Sequence, residues 1–99
     1  MTNEIKNTEI YYCETRVQVL NKVGLHARPA AVFVKNAMNC QSNICVEKNG
    51  KEIDAKSIFG VLSLGIDQFD FINIKAQGKD AKEAIRTLTQ LVNNKFGEE

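Results

Sequence analysis

The 99-residue chain has one histidine, one proline and no tryptophan. Lys and Arg number 13 against 12 Asp and Glu, a net charge of +1, so it lacks the positive excess on which phosphate-directed nucleic-acid binding depends. It also lacks a Lys/Arg run or an aromatic RNP-like strand, which sets aside an α/β RNA-binding module. No apolar stretch approaches the roughly 20 residues of a membrane span. Met1-Thr2-Asn3-Glu4-Ile5-Lys6 has no basic segment leading into an apolar one, as a secretory signal would. The expectation is a cytoplasmic protein without membrane insertion. Cys13, Cys40 and Cys45 form an odd set with no C-x-x-C pair. A closed zinc site would need all three plus His26, at spacings unlike zinc modules, so no metal or other cofactor is expected. The cysteines read as reduced thiols, with Cys45 a candidate core residue inside a strand.

Apolar residues make up 43% of the chain and charged residues 25%, enough for the core and surface of one domain. Residues 1–11 are mostly polar and read as a flexible N-terminal extension, leaving 12–99 as the folded domain. Arg16-Val17-Gln18-Val19 alternates as a half-buried strand does. Ala27 to about Met38 reads as a helix burying Ala30, Ala31, Val34, Ala37 and Met38, with Pro29 in its first turn, where no backbone donor is lost. Ile44–Lys48 and Lys51–Asp54 flank Asn49-Gly50, a strong hairpin signal. Ser57–Leu64 reads as a short helix capped by Ser57 and stopped by Gly65. Phe69–Ala76 reads as a strand with Phe69, Phe71 and Ile74 on its apolar side. Asp80 with Glu83 suggests a capping box before a helix burying Ala81, Ala84, Ile85, Leu88, Leu91 and Val92. The order β-α-β-β-α-β-α predicts an α+β fold, a four-stranded antiparallel sheet with three helices layered on one face.

Chemistry concentrates in Gly24-Leu25-His26-Ala27-Arg28-Pro29-Ala30. Gly24 permits a sharp turn, Pro29 pre-sets the helix, and His26 falls at the N-cap. A helix N-terminus offers free N–H donors and a partial positive charge to an anion. Arg28 adds a guanidinium suited to phosphoryl oxygens. A neutral imidazole is a good nucleophile, and attack on a phosphoryl donor gives a labile N–P bond. Phosphoryl transfer needs mainly positioning and charge compensation, which these residues could supply. A lone histidine before a helix is more often an exposed cap than a nucleophile, and spacing alone leaves both readings open.

The short helix carries Ile58, Phe59, Val61, Leu62 and Leu64 and has almost no polar side. A helix lying on a sheet must turn one side to solvent, so an exposed apolar patch is expected. Val61 is the expected core residue, Phe59 and Leu62 the patch, and Ile58 its border.

Two segments carry a family resemblance. Gly24–Ala30 resembles the active-site signature of HPr, the phosphocarrier of the bacterial phosphoenolpyruvate-dependent sugar phosphotransferase system. The run from Gly50-Lys51-Glu52-Ile53-Asp54 through Ala55-Lys56-Ser57-Ile58-Phe59 to Gly65 resembles the family's regulatory-serine signature. The likeness covers roughly residues 14–95 and implies the open-faced β-sandwich fold. It implies that His26 is phosphorylated on Nδ1 by enzyme I and passes the group to EIIA domains of sugar permeases, with Arg28 neutralising the phosphoryl charge. Such a protein is a carrier with a phosphohistidine intermediate, not a turnover enzyme. It further implies Ser57 as the target of an HPr kinase/phosphorylase, and partner docking at Ala27, Ile58, Phe59 and Leu62. A monomer is expected. Asn21-Lys22-Val23-Gly24 and the ending Asn94–Glu99 are also reminiscent of the nitrogen-related branch, so a mainly regulatory role is the alternative.

Overall fold

The computed structural model describes residues 11–98. Apart from Tyr11, the expected extension over 1–11 lies outside the described residues. The elements are β1 (Tyr12–Gln18), α1 (Ala27–Met38), β2 (Asn43–Lys48), β3 (Lys51–Asp54), α2 (Ile58–Ser63), β4 (Phe71–Gln77) and α3 (Ala81–Asn93). A 3-10 turn over Lys95–Gly97 follows. This is the order expected from the sequence. The strands form one antiparallel sheet in the order β1-β4-β2-β3. Asn49 and Gly50 join β2 to β3 at φ 52° and 87°, the double left-handed geometry of a two-residue hairpin turn.

One sheet face is built by Val17, Ile44, Val46, Ile72, Ile74 and Ala76, all buried. Phe33 and Val34 of α1, Val61 of α2, and Leu88 and Val92 of α3 complete this core. Phe33 also meets Phe96 edge-on, with ring centroids 6.5 Å apart. The other sheet face is open and carries Arg16, Glu47, Phe71 and Lys75. The α+β, open-faced architecture expected from the sequence is therefore present.

Several local expectations are corrected. β4 begins at Phe71, because Phe69 lies in a turn at φ 75°. Its buried phase is Ile72-Ile74-Ala76, whereas Phe71 points to the open face. Pairing decides this: Val17 faces Ile72 and Val46 faces Ile74, so those pairs share the helix-covered side. Phe71 instead lies under the Arg16 guanidinium, 4.6 Å from its ring centroid. By the same alternation Cys45, paired with Lys75 and Asp54, lies on the open face and not in the core. Its thiol is pushed up chiefly by partial burial and then by Glu52, so it is held protonated. In α1 the buried side includes Phe33, while Ala31 and Met38 face outward.

Asp80 does not act as a side-chain cap for α3. Its carboxylate accepts the N–H groups of Gln41 and Ser42, each at 2.9 Å, and the Ser42 hydroxyl at 2.5 Å. It thus ties the α1–β2 loop to the start of α3. These bonds, the Ser42 hydroxyl foremost, hold its carboxyl below the usual range.

Candidate functional site

His26 is placed by a turn that closes on itself before α1. Gly24 N–H donates to the Asn21 carbonyl at 3.1 Å, and the buried Asn21 Nδ2 donates to the Gly24 carbonyl at 2.7 Å. Gly24 adopts φ +61°, and a Cβ there would overlap the Ile66 carbonyl oxygen and lie 2.8 Å from Asp67 Cα. Backbone conformation and close approach therefore both require glycine. Leu25 N–H then donates to the Ile66 carbonyl at 3.0 Å, pinning this turn against the loop that follows α2.

His26 is the N-cap of α1, with extended backbone, and its carbonyl accepts the Ala30 N–H at 2.8 Å. Its side chain makes no cap hydrogen bond and is 59% exposed. Nε2 lies 3.2 Å from Asp67 Oδ1. A carboxylate only accepts, so the tautomer that suits this contact carries its proton on Nε2 and its lone pair on Nδ1. The N–H groups of Ala27 and Arg28 have no carbonyl one turn earlier to bond, and Pro29 has no N–H. Pro29 and Ala30 are buried and fix the first turn to the core. Arg28 is exposed, and among the described residues no carboxylate lies within ion-pair distance of it. An exposed imidazole, free backbone donors and a guanidinium with no carboxylate partner among the described residues thus share one helix end. His26 lines none of three concavities of the described surface, so this is a site on open surface.

Asp67 was not among the residues expected from the sequence. It lies 41 positions from His26, and no motif or periodicity marks it. Its turn is well tied: Asp67 N–H donates to Asp70 Oδ2 at 2.7 Å, and Asp70 pairs with Lys48 at 2.9 Å. The Asp67 N–H first, and Lys48 next, hold the Asp70 carboxyl below its ordinary range.

Ser57 caps α2, its Oγ accepting the Gly60 N–H at 3.0 Å. Val61 is buried, Phe59 is 82% and Leu62 40% exposed, and Ile58 is half-buried against the core. Exposed Ala27 sits at the start of α1. A shallow groove of about 370 Å³ runs between α1 and Ile58, lined by Ala31, Val34, Lys35, Met38 and Asn39.

A family described as "PTS HPr component phosphorylation site" matches residues 13–94. HPr-like protein Crh of Bacillus subtilis is 42% identical over 79 residues, 80% of this chain and 93% of that protein. Phosphocarrier protein HPr of Neisseria meningitidis is 38% identical over 82 residues, 83% of this chain and 92% of that protein. Among solved structures, HPr-C-His from Thermoanaerobacter tengcongensis matches with TM-score 0.86 and 48% identity, covering 88% of this chain and 98% of that one. An HPr dimer from the same organism matches with TM-score 0.71 and 49% identity, covering 83% and 94%.

Proposed function

The chain belongs to the HPr family of phosphocarrier proteins of the phosphotransferase system, and on that footing we propose that it carries a phosphoryl group on Nδ1 of His26. What supports this most is the unfilled cap of α1: His26 leaves the N-terminal donors unused and turns Nε2 toward Asp67, so Nδ1 has the lone pair. That lone pair attacks the phosphorus of a phosphohistidine on enzyme I. The donor N–P bond breaks, and its electron pair returns to the donor ring. Nε2 of His26 keeps its proton throughout. In onward transfer a histidine of an EIIA domain attacks, and the Nδ1–P pair returns to His26. Arg28 and the helix end compensate the charge on the phosphoryl oxygens during both steps.

The docking surface in this reading is Ala27 on α1 with Ile58, Phe59 and Leu62 on α2. Ser57 is the regulatory phosphorylation site, where an HPr kinase would place about two negative charges beside the apolar patch. The carrier domain is 12–99, with 1–11 as an extension. It acts in the cytoplasm as a monomer, and among the described residues no helix is long and apolar enough to cross a membrane. The second reading, a mainly regulatory protein, draws on the likeness to Crh of Bacillus subtilis, whose solution structure, 41% identical to this chain, is described as that of the catabolite repression HPr. One experiment separates them. Incubation with phosphoenolpyruvate and enzyme I should place acid-labile phosphate on the wild type and none on His26→Ala. Equal labelling of the two would end the His26 assignment, and normal partner binding with no His26 phosphate in any pairing would favour the regulatory reading.

A further inference from the structure

We propose that Asp67 is the positioning residue of the carrier histidine. Its carboxylate holds the His26 ring with Nε2 protonated, and balances the positive charge the ring acquires when Nδ1 is phosphorylated. The consequence for transfer rests on the carrier reading above, whereas the hold on the ring does not.

The contact is built from both sides. On the histidine side, Gly24 allows the turn before α1 to pack onto Ile66 and Asp67, closer than any side chain would permit. The Leu25 N–H bond to the Ile66 carbonyl then locks that approach. On the carboxylate side, the turn Asp67–Asp70 is closed by the Asp70 N–H to the Asp67 carbonyl at 3.1 Å and by the Asp67 N–H to Asp70 Oδ2. Phe69, at φ 75°, donates its N–H to the Val19 carbonyl at 2.6 Å, and Val19 N–H donates to the Asp70 carbonyl at 2.9 Å. Lys48 secures the far end by bonding both Asp70 and the Gly65 carbonyl. The Asp67 carboxylate itself makes no hydrogen bond within this turn, so it is left to serve His26.

The chemistry asks for such a group. A neutral imidazole exchanges its proton between two nitrogens, and only the form with Nε2–H presents a lone pair at Nδ1. Once Nδ1 bonds phosphorus and Nε2 keeps its proton, the ring is cationic. A carboxylate at Nε2 stabilises that cation and favours the state from which the N–P bond breaks toward an acceptor. The side chains are 59% and 70% exposed, so solvent screens the pair and the effect is modest. A change of roughly twofold to fivefold in transfer is the expected scale.

Nitrogen-15 spectra of the neutral His26 ring test the positioning, and single-turnover transfer from phosphorylated enzyme I tests its consequence. Wild type should show the Nε2–H form. Asp67→Ala should move toward a mixture of the two forms and slow transfer within the complex by roughly twofold to fivefold, leaving affinity for enzyme I unchanged. Asp67→Glu should restore most of both, and amide spectra should show all variants folded. An unchanged proton distribution in Asp67→Ala would overturn the proposal, as would a slowing that lies wholly in affinity. Should the wild type take no phosphate on His26, the carrier reading fails, and the ring spectra still decide whether Asp67 holds the imidazole.

Discussion

α1 and α2 both begin at an extended N-cap residue with a polar side chain, yet the two caps are used in opposite ways. Ser57 turns inward and accepts the Gly60 N–H, spending its oxygen on its own helix. His26 turns outward to Asp67 and leaves the first donors of α1 unclaimed. The difference follows from how each helix is anchored. α1 has 12 residues and buries Pro29, Ala30, Phe33, Val34 and Ala37, so it does not depend on a side-chain cap. α2 has 6 residues and buries Val61, so its cap matters more. A helix secured by its core can leave its N-terminus open, whereas this short one closes its N-terminus and leaves its outer side, Phe59 and Leu62, exposed.

Substitutions at the two caps and their supports can break this contrast. Arg28→Ala should slow phosphoryl transfer by about tenfold or more, the scale of a lost hydrogen bond to a charged group, with thermal stability unchanged. Equal rates in both directions would remove Arg28 from the open end. Gly24→Ala should cost about 1–3 kcal/mol of stability, since neither φ +61° nor the nearby Ile66–Asp67 backbone tolerates a Cβ. Urea denaturation would measure it, and the His26–Asp67 contact should loosen with it.

Asp80 supplies a third case, a residue at a helix start whose carboxylate serves another segment. Asp80→Ala should cost about 1–2 kcal/mol, because three donors from Gln41 and Ser42 lose their acceptor. Its folded-state pKa is lowered, so this contribution is fully present above the unfolded value of about 4 and fades as pH falls below it through the folded value. Urea midpoints of wild type and Asp80→Ala should therefore converge as the solution is acidified below about pH 4. The smallest effect is expected at the closed cap: Ser57→Ala should cost about 1 kcal/mol and leave His26 labelling intact. Ser57→Asp should keep the cap and fold while weakening binding to enzyme I, which titration calorimetry would read; unchanged affinity would separate Ser57 from the docking surface.

Local chemistry made much of this readable in the sequence. Asn49-Gly50 announces its own turn, Ser57 its own cap, and Pro29 the first turn that puts His26 at a helix end, because each of these effects acts over a few residues. The exposure of Phe59 and Leu62 followed from counting apolar side chains on a helix that has to face solvent somewhere. β4 was less legible. Phe-Asp-Phe-Ile-Asn-Ile offers two alternating phases, and the large aromatic rings favoured the wrong one. Ile72 and Ile74 win because Val17 and Val46 face them across the sheet, while Phe71 finds the Arg16 guanidinium on the open side.

The sequence by itself determined the element order and the two helix starts, and with one histidine it left one imidazole for the proposed carrier role; the one proline helps shape the helix end that holds it. Tertiary structure alone decided what stands beside that imidazole. Asp67 reaches His26 because Gly24 lets two loops, one before α1 and one after α2, touch backbone to backbone. It decided likewise that Asp80 clasps Gln41 and Ser42 instead of its own helix. Side-chain periodicity reports which side of an element is buried, and it carries no information about which distant polar group a fold brings within 3 Å or so of another.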